Sequence, residues 1–341
     1  MTPGNRISSQ TNQKKVKKLM SNRVLTTLAA LAALAAAPAA AQEYSFQVAH
    51  TNAADEVQDM GLQKMKDLLE AKTDGAATLE IFAGGQLGDE QQTVEGVMLG
   101  SLDIGMTSNA MLSNYVDDYK VFDLPFLFPS IPSLGEKVDA NFDMMEDSAN
   151  GAGFQLLAVF SSGIRHLMTS EPVETIADLE GMKIRTPNNI MQIRAIEAMG
   201  GTPTPMPLGD VYPALTQGVI DGVENPLPVL FGQKLHEQAK ELSMISYLQN
   251  TSLWLGGQAY FDTLDPKVVE MLHETGYEAG LYSQELAAEA DEQILADMEA
   301  AGVTVTYPDI APFKEKAMAV YDQFPEWSDG LYEEIQEQLG Q

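Results

Sequence analysis

The 341-residue chain contains no cysteine, which excludes disulfide bonds, thiolate metal sites and cysteine nucleophiles. Its four histidines show no metal-ligand spacing, and no HExxH pattern occurs. The sequence also lacks a P-loop, a GxGxxG fingerprint, a GxSxG elbow and a recognisable pair of catalytic carboxylates. We therefore expect no metal, no nucleotide or other cofactor, and no enzymatic activity.

Basic residues are scarce as well. The chain has 20 Lys and Arg against 49 Asp and Glu, and six of those basic residues lie in residues 1–41, where no acidic residue occurs. Without that segment 14 basic residues remain against 49 acidic ones, a formal charge of −35. A surface this acidic repels nucleic acid and anionic membranes, so we expect neither as a partner.

No hydrophobic run is long enough to span a bilayer comfortably. Val24–Ala37, 14 residues rich in Ala and Leu, follows a basic region and precedes Ala39-Ala40-Ala41, whose small side chains suit a signal-peptidase site. We interpret residues 1–41 as a cleaved signal peptide, with an uncleaved anchor as the alternative reading and Met20 as an alternative start. The mature chain is then exported and has no segment for direct membrane insertion.

Short apolar segments alternate with helical periodicity along the mature chain, which is typical of parallel βαβ units. Lys267–Ala300 is predicted as one long helix, or a kinked pair bent at Gly276 and Gly280, and is long enough to brace two lobes. The predicted strands are Tyr44–His50, Leu79–Phe82, Asp103–Thr107, Leu156–Ser161 and Val303–Tyr307.

One pattern occurs twice. Leu87-Gly88-Asp89 opens a helix whose following strand ends at Thr107-Ser108, and Leu208-Gly209-Asp210 opens another whose following strand ends at Glu224-Asn225. In both, the aspartate can cap the helix N-terminus. The recurrence is either chance or a sign that two lobes share one plan, and we favour the second. The two strand ends should then face each other across a cleft, because ligands of open α/β sheets sit beyond the carboxyl ends of strands.

Arg185 is the strongest candidate for binding an anion. It ends a short strand, and Thr186 as N-cap with Pro187 as first helical residue would start a helix where the guanidinium emerges. A guanidinium offers two parallel donors to a carboxylate, and a helix start adds unpaired N–H groups. A salt bridge to an acidic side chain explains the arginine equally well, and spacing alone does not decide between the two.

Three further polar residues are candidates near the same junction. Arg165 lies where we expect the chain to pass between lobes, and it could hold a closed state, contact a ligand or form a structural ion pair. Asn225 precedes a proline that keeps its backbone extended, so its amide could bind a ligand or cap a turn. His50, at the end of the first strand, could line the cleft.

Together these segments resemble the DctP family, the extracytoplasmic solute-binding proteins of tripartite ATP-independent periplasmic (TRAP) transporters. The resemblance covers nearly all of the mature chain, and the combination of segments is specific although each one alone is common. The matching segments are Gly85–Gly88, Phe122–Phe126, Gly163–Arg165, Leu179–Pro187, Pro205–Pro207, Asp210–Tyr212, Ala214-Leu215 and Asp221–Pro226.

The resemblance implies an α/β, two-lobed periplasmic solute-binding protein fold with crossing strands and a long lobe-spanning helix. Lobe I would comprise residues 42–162 plus 251–290, and lobe II residues 163–250 plus 291–341. The protein would be periplasmic. Such lobes close on an organic acid held in the cleft between them.

The resemblance also implies a set of ligand-binding residues. The family's carboxylate-binding arginine falls on Arg185, its second arginine on Arg165 and its pocket asparagine on Asn225. Sialic-acid binders of the family carry an acidic residue at the position of Ser108 and an aromatic one at Leu208, so sialic acid is not the expected ligand. Further cleft-lining residues are expected at His50, Thr107, Ser108, Leu208 and Ser252.

The expected function is therefore capture of a small organic acid through an arginine–carboxylate pair, followed by delivery to the small and large integral-membrane TRAP subunits. An exported enzyme and a ligand-sensing adaptor on the same fold are the alternatives, and the motif set disfavours binding for an ATP-driven importer. The acid stays open among C4-dicarboxylates, sugar acids, keto acids, aromatic acids and sulfonates. The oligomeric state also stays open.

Overall fold

A computed structural model describes residues 43–323 and 327–340 of the chain. The predicted signal peptide, residues 1–41, lies outside the described residues, and Tyr44–Gln341 belongs to one compact unit. No helix in the described part of the chain is long and apolar enough to cross a membrane.

A single sheet organises the described residues. Its order is β2-β1-β3-β8-β4-β7-β5-β6, and β9 pairs with β8. The strands are β1 (Tyr44–Ala49), β2 (Ala77–Phe82), β3 (Ile104–Ser108), β4 (Phe154–Thr169), β5 (Lys183–Thr186), β6 (Thr202–Pro205), β7 (Gly222–Pro226), β8 (Glu241–Gly257) and β9 (Thr304–Thr306). The pairs β1–β2, β1–β3, β5–β6 and β5–β7 are parallel, as the βαβ pattern predicts.

Helices connect these strands and cover the sheet. They are α1 (Val57–Lys72), α2 (Glu90–Leu99), α3 (Asn109–Leu112), α4 (Ile131–Ala140), α5 (Phe142–Gly151), α6 (Ile190–Ala198), α7 (Val211–Thr216), α8 (Leu227–Gly232), α9 (Gln258–Phe261), α10 (Pro266–Ala300), α11 (Ala311–Ala317) and α12 (Leu331–Leu339). Short 3-10 segments span Asp117–Asp123, Ile176–Leu179, Leu208–Asp210, Leu235–Glu237 and Met318–Gln323.

Two long antiparallel strands, β4 and β8, join the two halves of the sheet. They pair along their length, while β8 also borders β3 and β4 borders β7. The predicted strand Leu156–Ser161 is thus the first part of a 16-residue strand. The pairing of β4 with β8 shifts in register between Ser161 and Gly163. The strand continues past this shift because Gly163 has a φ of 114°, which a residue with a side chain adopts only with strain.

The long helix is present as one uninterrupted element, α10, of 35 residues. It contacts α1, β4 and α8, and so spans both halves of the sheet. At Gly276 the helix packs closely on the sheet, because a Cβ there would be 2.8 Å from the backbone oxygen of Leu157. The glycine serves close packing in a continuous helix. Together, β4, β8 and α10 confirm the expected crossing strands and lobe-spanning helix.

The repeated pattern is preserved in its first copy and altered in its second. Asp89 caps α2 in a reciprocal capping box with Gln92. Asp210 makes no side-chain capping bond, because it lies in a 3-10 turn that runs directly into α7. The prediction that Asp210 caps its helix is therefore wrong, whereas the following strands β3 and β7 lie where the pattern places them.

The helix after Arg185 also starts later than predicted. Thr186 is still part of β5, where it pairs with Pro205 of β6, so its backbone is held extended. The N-cap of α6 is Asn189, whose side chain accepts a hydrogen bond of 2.9 Å from the backbone nitrogen of Gln192. The prediction of Thr186 as N-cap and Pro187 as first helical residue is wrong.

Candidate functional site

A cavity of about 50 Å³ lies beyond the carboxyl ends of β1, β3, β5 and β7, with residues of β4 and β8 completing its wall. This is where open α/β sheets bind their ligands. Its lining consists of Thr51, Asn52, Gln58, Glu90, Met106, Thr107, Ser108, Arg165, Arg185, Pro187, Leu208, Asn225, Val229, Asn250 and Ser252. Thr107 and Ser108 of β3 thus share one cavity with Asn225 of β7, as the repeated pattern predicts.

The cavity collects all but one of the residues that the sequence singled out. Arg185, Arg165, Asn225, Thr107, Ser108, Leu208 and Ser252 border it. His50 does not: its ring is buried, and Nε2 lies 2.9 Å from Oδ1 of Asp59 on α1. Burial opposes ionisation of Asp59, but hydrogen bonds from His50 and the backbone of Asp55 outweigh it and lower the pKa of Asp59.

Arg185 is buried but only partly hydrogen-bonded. Its Nε and Nη2 donate to the backbone oxygen of Met206 at 3.0 and 2.8 Å. Among the described residues it forms no ion pair, so Nη1 and one hydrogen of Nη2 are not used within this part of the chain. Burial lowers the pKa of Arg185 to about 10, although Glu224 and Glu90 oppose the shift.

Arg165 differs because almost all of its donors are used. Nε donates to Oε2 of Glu224, and Nη2 donates at 2.8 Å to both Oε1 and the backbone oxygen of that residue. Nη1 donates to Oδ1 of Asn250 at 2.7 Å. Burial disfavours the charged guanidinium, but Glu224 more than offsets this, and the pKa of Arg165 is raised. Four of its five N–H donors are thus occupied.

Glu224 is held from a second side by Tyr247. The hydroxyl of Tyr247 lies 2.5 Å from Oε2 of Glu224, and both side chains are buried. Burial, with the neighbouring Glu224, raises the pKa of the Tyr247 hydroxyl, which therefore stays protonated and donates. Arg165 borders the cavity but Glu224 does not, so the carboxylate that balances the charge of Arg165 lies outside the cavity lining.

Glu90 is a cavity residue that the sequence reasoning missed. Its Oε1 accepts hydrogen bonds from the hydroxyl of Thr107 and the backbone nitrogen of Ser108, which connects α2 to the end of β3. Its Oε2 has no hydrogen bond within the described residues. The sequence predicts Asp89 as a helix cap and therefore places Glu90 in the first turn of that helix. It does not indicate that the side chain of Glu90 borders the cavity.

Amide side chains supply much of the remaining polar surface of the first cavity. Nδ2 of Asn225 is buried and has no hydrogen-bond partner in the part of the chain that the structure describes. Gln58 lies near Ser252, whose hydroxyl donates to it at 3.5 Å. Asn52, Gln58 and Asn250 gave no recognisable signal in the sequence, because they come from separate elements that meet only in the fold.

A second, wider cavity of about 230 Å³ adjoins the first. Arg185, Glu90, Pro187 and Leu208 border both volumes. The guanidinium, amide and hydroxyl groups around these volumes suit non-covalent binding of a polar, anionic solute.

Comparison with known proteins identifies the family of the chain. The family described as bacterial extracellular solute-binding protein, family 7 (DctP) matches residues 48–326. The 2,3-diketo-L-gulonate-binding periplasmic protein YiaO of Escherichia coli is 33% identical over 269 residues, covering 78% of this chain and 81% of its own.

Solved structures show the same fold. A TRAP periplasmic solute-binding protein from Ochrobacterium anthropi, with bound L-fuconate, is 43% identical with a TM-score of 0.84 and covers 87% of this chain and 99% of its own. One from Actinobacillus succinogenes, with bound L-galactonate, is 32% identical with a TM-score of 0.83 and the same coverage of 87% and 99%.

Because the family match spans most of the chain and the relatives are periplasmic solute-binding proteins, the resemblance seen in the sequence is confirmed. The chain belongs to the DctP family of TRAP transporter solute-binding proteins, and it is a periplasmic binding protein, not an enzyme.

Proposed function

We propose that this protein captures a small organic acid by pairing the ligand's carboxylate with Arg185, and delivers it to the small and large integral-membrane TRAP subunits. The observation that carries the proposal is the contrast between the two buried arginines. Arg165 is already paired with Glu224, whereas Arg185 borders the cavity and its Nη1–Nη2 edge has no carboxylate partner in the described chain. That edge offers the two parallel donors that a carboxylate accepts.

The relatives support an acid as the ligand. Three of the similar solved structures contain L-fuconate, L-galactonate and β-D-galacturonate, each of which has one carboxylate and several hydroxyl groups. The cavity of this chain offers matching partners, with a guanidinium for the carboxylate and amide, hydroxyl and carboxylate groups for the hydroxyls.

Binding by closure follows from the cost of burying a charge. An arginine removed from water without an anion is destabilising, so an acid that pairs with Arg185 stabilises the closed arrangement by differential contact. We assign the closing lobes to residues 42–162 with 251–290 and residues 163–250 with 291–341. Micromolar affinity corresponds to roughly −8 kcal/mol, which one charge-assisted pair and several hydrogen bonds can supply.

Calorimetry with a panel of sugar acids and other organic acids tests the proposal. The Arg185→Lys and Arg185→Ala variants should bind the best acid at least about tenfold more weakly, because a bidentate pair is lost. Arg194→Ala, which removes an exposed arginine paired with Glu197, is the matched control and should leave the affinity unchanged. Unchanged affinity in the Arg185 variants would contradict the proposal.

Delivery needs a separate experiment. Proteoliposomes that contain both membrane subunits should accumulate the labelled acid only when this protein is added, and the Arg185→Ala variant should not support uptake. Tight binding without uptake would favour the ligand-sensing adaptor instead.

A further inference from the structure

We propose that Glu90 makes the cavity selective for acids that carry one carboxylate and several hydroxyl groups, and excludes dicarboxylates. This inference rests on the proposed function, because it specifies the chemistry of the acid that Arg185 binds. It comes from the distribution of charge around the cavity.

Two arginines border the cavity, but only one of them lacks a counterion among the described residues. The charge of Arg165 is balanced by Glu224, which binds it through three hydrogen bonds and lies outside the cavity. Arg185 has no such partner among the described residues. One ligand carboxylate therefore satisfies the cationic capacity of the site.

Glu90 adds a negative charge to the same volume. Its Oε1 is occupied by Thr107 and Ser108, which fixes the carboxylate in place, while Oε2 has no hydrogen bond in the described chain. Glu90 forms no ion pair with Arg185 in the described structure, although both border the two adjoining cavities. A ligand in either volume thus meets both residues.

These two side chains favour opposite ends of a sugar acid. A carboxylate pairs with Arg185, and a hydroxyl donates to Oε2 of Glu90 in a charge-assisted hydrogen bond. A second carboxylate near Glu90 would meet a like charge in a poorly solvated space, with no unpaired cation to compensate it. The remaining polar lining residues of the first cavity, Thr51, Asn52, Gln58, Asn225, Asn250 and Ser252, are neutral and suit hydroxyl groups. The second cavity adds the carboxylate of Asp89, whose charge has the same sign as that of Glu90 and likewise opposes a second ligand carboxylate.

L-Galactonate and galactarate provide a matched pair of probes, since they differ only in a terminal hydroxymethyl group replaced by a carboxylate. Titration calorimetry of the purified mature protein should show binding of L-galactonate at least about a hundredfold tighter than that of galactarate. The same panel includes L-fuconate and β-D-galacturonate as monocarboxylates, and succinate and malate as small dicarboxylates.

The Glu90→Gln variant tests the residue. Removal of its charge should weaken monocarboxylate binding about tenfold and narrow the ratio between mono- and dicarboxylate affinity at least about tenfold. Glu95→Gln is the control, because Glu95 is an exposed residue of the same helix and the charge change is equal. Circular dichroism and the melting temperature establish that each variant is folded, and Glu90→Asp, which keeps the charge, should keep the preference.

The outcomes separate this inference from the proposed function. If the tightest ligand in the panel is a dicarboxylate, or if Glu90→Gln leaves the ratio unchanged, the selectivity assigned to Glu90 is wrong while capture through Arg185 stands. If no acid in the panel binds the wild type, the proposed function itself is contradicted, and the inference with it.

Discussion

Arg165 of β4, which borders the first cavity, and Glu224 of β7, which does not, form a buried ion pair with Nη2 of the arginine 2.8 Å from Oε1 of the glutamate. The arginine side chain is 4% exposed and the glutamate 0%. The pair fixes Arg165 and balances its charge, whereas Arg185, the other arginine of the cavity, has no carboxylate partner among the described residues.

Glu224→Gln should therefore destabilise the protein strongly. It leaves the buried charge of Arg165 without its counterion, which costs about 3–5 kcal/mol of unfolding free energy. Urea denaturation monitored by circular dichroism measures the loss. Glu197→Gln, which breaks the exposed pair with Arg194, should cost less than about 1 kcal/mol. Equal losses of unfolding free energy in the two variants would show that the buried pair stabilises the protein no more than the exposed pair does.

Arg185→Met should separate binding from stability. In the absence of ligand, the free energy of unfolding should be unchanged or raised by up to about 3 kcal/mol, because an unpaired buried charge is replaced by an apolar chain of similar length. The increase in melting temperature that the acid produces in the wild type should disappear. A large loss of stability without ligand would mean that Arg185 is primarily structural.

Glu56 should make stability fall as pH rises through neutrality. Burial raises the pKa of Glu56 to about 7, despite hydrogen bonds from Asn52. Its folded-state pKa lies above the unfolded value near 4.5, so its contribution is present below about pH 4.5 and is lost as the pH rises through about 7.

The Glu56→Gln variant isolates this contribution. Its stability relative to the wild type should increase by about 2 to 3 kcal/mol between pH 5 and pH 8. Urea titrations of both proteins at several pH values measure the difference, and Glu278→Gln, at an exposed position of α10, controls for the change in net charge. A constant difference across this range would contradict the assignment.

Gly256→Ala should destabilise the sheet. A Cβ at Gly256 of β8 would lie 2.0 Å from Cε2 of Phe261, so the ring or the strand must move. Such overpacking costs about 1–3 kcal/mol. Gly151→Ala, at the end of α5, meets nothing within 4 Å and should change the unfolding free energy little. Thermal denaturation of the two variants compares them directly.

The repeated pattern illustrates what local sequence could predict. The strand ends at Thr107-Ser108 and Asn225 share one cavity because each closes a helix–strand unit whose carboxyl end is open to a ligand. The two strands run in opposite directions, since the antiparallel pairs β3–β8, β8–β4 and β4–β7 lie between them, and their carboxyl ends therefore approach each other from the two halves of the sheet. Helix starts were less predictable. Asn189, not Thr186, caps α6, since the pairing of β5 with β6 extends the strand beyond the point where local residue preferences favour a turn.

The sequence by itself determined the α/β class, the acidic surface, the absence of thiol chemistry and, through a set of family-specific segments, the solute-binding fold with Arg185 and Arg165 near one site. Only the tertiary structure distinguished the two arginines. Whether a guanidinium is paired or available depends on which carboxylate lies against it. Glu224 of β7 and Asn250 of β8 bind Arg165 of β4 although they are 59 and 85 residues away in the chain. The same holds for Glu90 and His50, whose positions inside and outside the cavity are decided by packing and leave no trace in local periodicity.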